Sequence, residues 1–86
     1  MDRVKTMNSI CRLLEKYKGV YMPFGSIDLS QSEDYLTLKP QGMKERNMPY
    51  AAKKILARYP QIKFVHFTGG WVENVYSRET LKWLAV

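Results

Sequence analysis

The sequence predicts an α+β fold of order α-β-β-α-β-β-α, with an antiparallel sheet and the helices packed on one of its faces. Three observations predict it. Residues 4–17 and 48–59 carry apolar side chains at three- and four-residue steps, the period of an amphipathic helix. Between and after them stand short apolar stretches bounded by glycine, proline and serine, which read as strands joined by turns. The strands also come in pairs that are adjacent in the chain, so hairpins are the shortest way to join them, and the helices are left to cover one side.

In the first helix Val4, Met7, Ile10, Cys11, Leu14 and Tyr17 share one side, and Lys5, Arg12 and Lys16 fall together on the opposite side. Gly19 stands where a C-terminal cap belongs. The stretch VYMPFGSIDLS, residues 20–30, reads as extended, with Pro23 and Gly25 marking a bend or an edge position because proline cannot donate to a central ladder. SQSED is a polar turn, and YLTLK is a second short strand with Leu36 and Leu38 on one face. KPQGMKERNMP, residues 39–49, is a basic connection punctuated by proline and glycine. Asn47 suits an N-cap and Pro49 the first turn of the second helix. In that helix Met48, Ala52, Ile55, Leu56 and Tyr59 make the apolar side, Lys53, Lys54 and Arg58 lie away from it, and Pro60 ends it.

The stretch FVHFTGGWVENVY, residues 64–76, reads as a complete β-hairpin. With Gly69-Gly70 as its two-residue turn, Thr68 faces Trp71, Phe67 faces Val72, His66 faces Glu73 and Phe64 faces Val75. The first strand is expected to begin at Ile62 or Lys63, so one face carries Ile62, Phe64, His66, Thr68, Trp71, Glu73 and Val75, and the other carries Lys63, Val65, Phe67, Val72, Asn74 and Tyr76. Phe64 and Phe67 are expected in the core, because aromatic side chains contribute most to buried area in a small domain. Trp71, beside the turn, is expected to be exposed. Ser77 followed by RETLKWL predicts a capped terminal helix packed through Leu81, Trp83 and Leu84.

A chain of 86 residues reads as a single globular domain, 1–86, too small to enclose a deep substrate cavity. It contains no apolar run approaching the roughly 18–20 residues that span a bilayer, and no segment with the make-up of a secretory leader opens it, so a cytoplasmic protein is expected. Met7 offers an alternative start. Cys11 is the lone cysteine and His66 the lone histidine, which gives neither a disulfide framework nor a zinc ligand set; no metal and no cofactor is expected.

Charge carries the functional argument. Residues 19–38 hold only acids, Asp28, Glu33 and Asp34. Residues 39–63 hold Lys39, Lys44, Arg46, Lys53, Lys54, Arg58 and Lys63 against Glu45 alone, a surplus equal to the +6 of the whole chain. Such asymmetry speaks to an anionic partner. For catalysis the candidate pair is His66 with Glu73, since a carboxylate can orient an imidazole base; the same pair is also a common cross-strand contact. No nucleophile elbow, phosphate loop or paired carboxylates accompany it, so no enzyme is expected.

The sequence therefore points to a small, basic, non-enzymatic module that contacts nucleic-acid phosphates through residues 39–63. Lys39, Lys44, Arg46, Lys53, Lys54 and Arg58 are the candidate phosphate ligands, the Lys5/Arg12/Lys16 side of the first helix is a possible extension, and Trp71 is a candidate for stacking on a base. No zinc-finger spacing, RNP-like aromatic motif or helix-turn-helix accompanies them. The alternative is a protein-binding adaptor, or an inhibitor of the kind phages encode, docking its basic face on an acidic or nucleic-acid-binding surface of a target.

Overall fold

The structure is a computed structural model that describes residues 3–15, 27–39, 44–69 and 72–82. The chain forms helix α1 (Arg3–Leu14), strands β1 (Ile27–Leu29) and β2 (Tyr35–Leu38), a 3-10 turn (Glu45–Asn47), helix α2 (Met48–Arg58), and strands β3 (Phe64–Gly69) and β4 (Val72–Ser77). The four strands make one sheet in the order β1-β2-β3-β4.

The sheet is mixed, which corrects the antiparallel expectation. β1 and β2 pair antiparallel, with Ile27 opposite Leu38 and Leu29 opposite Leu36. β3 and β4 likewise pair antiparallel. Between the hairpins, β2 and β3 run parallel, with Tyr35 opposite Phe64 and Leu38 opposite Phe67. The physical reason is α2. A helix that joins two neighbouring strands carries the chain back to the end where the first strand began, so the second strand must run the same way.

Strand alternation then separates the two faces of the sheet. Ile27, Leu29, Leu36, Leu38, Val65 and Phe67 are buried and form one core with the helices. α2 contributes Met48, Ala51, Ala52, Ile55 and Leu56, and Tyr59 just beyond it is buried as the periodicity implies. α1 contributes Met7, Ile10, Leu13 and Leu14, with Thr6 buried beside them. Its inward side is turned relative to the expected one: Val4 is 50% exposed and Leu13 takes an inner place. Tyr59 donates its hydroxyl proton to Ser9 Oγ, which ties the end of α2 to α1.

Local expectations change at three further places. Asn47 has helical dihedrals and its side chain makes no capping hydrogen bond, because the 3-10 turn runs directly into α2; Pro49 does occupy the first turn. In the last hairpin Gly69 pairs with Val72, where the expected register had Thr68 facing Trp71. Gly69, at φ 153°, closes the strand in a conformation that L side chains rarely adopt. Phe64 thereby faces Ser77, His66 faces Val75 and Thr68 faces Glu73. Each partner moves by two residues, an even step, so the paired side chains keep the faces that the sequence assigned them, whereas Ile62 and Lys63 precede the strand, and Ile62, expected on the Phe64 face, is buried in the core.

After β4 the described residues form a hydrogen-bonded turn rather than the expected terminal helix. The Leu81 amide reaches the Ser77 carbonyl at 3.2 Å, and the Ser77 amide donates to Thr80 Oγ1 at 2.8 Å. Leu81 is buried as expected. Tyr17, Lys16, Gly19, Pro23, Gly25, Gly70, Trp71, Trp83 and Leu84 lie outside the described residues, and expectations placed on them lie there too. Among the described residues no helix is long and apolar enough to cross a membrane.

Candidate nucleic-acid interface

The 11 residues of α2 span about 16 Å, from the end of β2 back towards the start of β3. Its apolar stripe faces the core, so its polar residues are distributed over two flanks. On one flank Tyr50, Lys54 and Arg58 recur at four-residue steps and form a single exposed row along the helix. Lys44 and Arg46, both exposed, lie in the turn from which that row begins. Glu45 between them accepts from the Asn74 side-chain amide at 3.5 Å. Lys39 is exposed at the end of β2, where the connection to this turn begins.

At the far end of the row Arg58 meets α1. Arg58, Arg12, Ser9 and Leu13 surround a depression of about 150 Å³. The Arg58 guanidinium carbon stands 5.9 Å from the centre of the Tyr59 ring, a cation–π distance that fixes its direction.

Lys53 is on the other flank. It lines a separate, mostly apolar depression of about 260 Å³ with Leu56, Ala57, Arg78, Leu81 and Lys82. Tyr50, Lys54 and Arg58 thus share one flank of α2, Lys44 and Arg46 are exposed in the turn before it, Lys39 is exposed at the end of β2, and Lys53 lines the depression on the other flank. Trp71 lies outside the described residues. Sequence reasoning missed Tyr50, which is 44% exposed; its spacing of four and eight residues from Lys54 and Arg58 was the available signal.

Among the described residues Lys82 pairs with Glu79 at 3.0 Å, and His66 Nε2 lies 3.6 Å from Glu73 Oε1. Neither involves Lys39, Lys44, Arg46, Arg12 or Arg58, whose charges therefore stay open to an external anion. Arg78 behaves oppositely. Its Nη1 donates to the Ile62 carbonyl at 2.7 Å, and its Nη2 donates to the carbonyls of Leu56 at 2.5 Å and Tyr59 at 3.2 Å. It closes the carbonyl end of α2, where a cation is also favoured by the helix dipole.

The sheet face opposite the helices forms a second surface of different character. Tyr35, Phe64 and Val75 are exposed there, with Thr37 and His66 between them. Phe64 is 41% exposed, against its expected place in the core, because no helix of the described residues covers its face. The Tyr35 and Phe64 rings lie 5.9 Å apart, and His66 presents itself edge-on to Tyr35 at 6.0 Å. Asp28 and Glu73, by strand alternation, put carboxylates on the same face, which makes it far less basic than the α2 flank. His66 and Glu73 are diagonal neighbours here, and their 3.6 Å separation exceeds a hydrogen bond; His66 Nε2 is buried with no hydrogen-bond partner.

Among the described residues no group of three or more His, Cys, Asp or Glu side chains is placed to hold a metal ion. Comparison of the chain with protein-family models, with curated proteins and with solved structures returned no match.

Proposed function

We propose that this protein is a small basic nucleic-acid-binding module that lays a phosphate backbone along the outer flank of α2. The observation that carries the reading is the exposed row of Tyr50, Lys54 and Arg58 on α2, preceded in the chain by the exposed Lys44 and Arg46, within the basic segment 39–63. Exposed cations of this kind add little to stability, whereas each phosphate they neutralise releases counterions and adds to affinity. These residues offer positive charge and one aromatic ring but no set of side chains arranged to read base edges, so binding is expected to be to backbone and shape. Lys39 is a further contact at the β2 end, and Lys53 is a secondary contact at most. The partner is met in the cytoplasm. The test is an anisotropy titration with mixed-sequence DNA and RNA oligonucleotides at two salt concentrations: affinity that falls steeply with salt supports the reading, and no binding at the lower salt refutes it.

A second reading draws on the other surface. Tyr35, Phe64 and Val75 form an exposed apolar patch on a sheet face that carries both charge signs, and such patches commonly mark protein contacts. On this reading the protein is a non-enzymatic adaptor or inhibitor. Retention of one host protein after nuclease treatment, lost on Tyr35→Ser and Phe64→Ser together, would favour it over the first.

A further inference from the structure

We propose that the depression between α1 and α2, flanked by Arg12 and Arg58, is a subsite for one phosphodiester of the nucleic-acid backbone. The inference rests on the nucleic-acid reading above and extends the interface onto α1, which that reading does not require.

Arg12 of α1 and Arg58 of α2 both line the same depression of about 150 Å³, with Ser9 and Leu13 completing it. Like charges held around one hollow repel unless an anion enters, and among the described residues no carboxylate pairs with either arginine. The planar guanidinium fork matches phosphate oxygens, and two forks from opposite sides can bind one phosphate. Ser9 supplies a third group. Because Tyr59 donates its proton to Ser9 Oγ, the serine keeps its own proton to donate. Tyr59 is buried, so this serine is held in place.

A plainer role is open to both arginines. Each lies in the last turn of its helix, where a cation offsets the exposed carbonyls. At α2 that role is already filled, because Arg78 takes the Leu56 and Tyr59 carbonyls. Arg58 is consequently not needed as a cap and points outwards beside the Tyr59 ring. It is also the end of the Tyr50–Lys54–Arg58 row, about 12 Å from where that row begins, so a strand following the row arrives at the depression.

The test uses the full chain and the variants Arg12→Gln, Arg58→Gln, the double variant, and Arg46→Gln with Lys54→Gln as a comparison. Each is titrated with a fluorescein-labelled single-stranded 12-mer at several salt concentrations, and each is melted by circular dichroism. If both arginines hold one phosphate, either single variant weakens binding about 3–10-fold and lowers the salt slope by about 0.7, while the double variant lowers the slope no further. Inorganic phosphate should also shift the Ser9 and Arg12 amide resonances of the wild type and not those of the double variant. Wild-type affinity in the double variant, with binding weakened in the comparison variant, overturns the subsite and leaves the broader reading standing. A lowered melting temperature with unchanged affinity assigns the arginines to the helix ends and likewise overturns it. A wild type that binds no oligonucleotide, and whose Ser9 and Arg12 resonances ignore phosphate, overturns both.

Discussion

Lys53 and Lys54 are consecutive in the chain and leave α2 on opposite flanks: Lys53 beside Arg78, Leu81 and Lys82, Lys54 in the row with Tyr50 and Arg58. A turn of 100° per residue suffices to send neighbours to different surfaces. The two lysines are therefore an internal comparison that holds charge, chain position and helix propensity constant.

Lys54→Gln is expected to weaken nucleic-acid binding and lower the salt slope by about 0.7–0.9, one phosphate contact. Lys53→Gln should leave the slope nearly unchanged. Anisotropy titrations over a range of salt give both slopes, and equal losses would mean that the strand does not follow one flank.

The two phenylalanines of β3 should differ sharply. Phe67 is fully buried, with the Tyr76 ring 5.9 Å away, so Phe67→Ala should cost about 3–5 kcal/mol. Phe64 is half-exposed and makes its ring contact with Tyr35, so Phe64→Ala should cost about 1 kcal/mol. Urea denaturation measures both, and similar costs would place a covering element over the outer face.

Much of this arrangement was legible in the sequence. The apolar stripe of α2 and the alternation of Leu36 with Leu38 and of Val65 with Phe67 are local patterns that burial obeys. The faces of the paired residues of the last hairpin also followed, even though its register differs, because a two-residue shift in partner preserves the pleat. What failed was non-local. The direction of β3 relative to β2 depends on which strands are neighbours, and periodicity does not encode that. The exposure of Phe64 depends on how many layers cover the sheet, which the alternation along a six-residue strand cannot report. In the candidate site the charge surplus was plain, but its division between two flanks was not, since Lys53 and Lys54 had been placed on one side by their distance from the apolar stripe. Arg78 was hidden for another reason: its partners are backbone carbonyls from residues 56–62, and carbonyls carry no sequence signal.

Arg78→Gln should destabilise the fold by about 2 kcal/mol, since three carbonyls lose a charged donor. Nucleic-acid affinity of the remaining folded protein should be unchanged. Loss of affinity without loss of stability would move Arg78 from the frame to the interface.

Asp34 should mark the acid limb of stability. Hydrogen bonds from the Ser32 hydroxyl, then from the Ser30 hydroxyl, hold its carboxyl below the ordinary aspartate value. A depressed folded-state pKa adds stability that is complete above the unfolded value of about 3.9 and is lost as pH falls through the folded value. Ser32→Ala should raise the Asp34 pKa towards the ordinary range, read from a carbon-13 carboxyl titration. An unaltered titration would remove the Ser32 hydroxyl as the cause.

The central claim is that the exposed flank of α2 binds a phosphate backbone, and one titration tests it most directly. Wild type and the variant with Lys44, Arg46, Lys54 and Arg58 all changed to glutamine are titrated with a labelled 12-mer across a range of salt, with circular dichroism confirming that both are folded. Log affinity of the wild type should fall linearly with log salt, by roughly 0.7 per phosphate on a single strand, and the variant should lose most of that slope with most of its affinity. A folded variant that binds with the wild-type slope and affinity would contradict the claim.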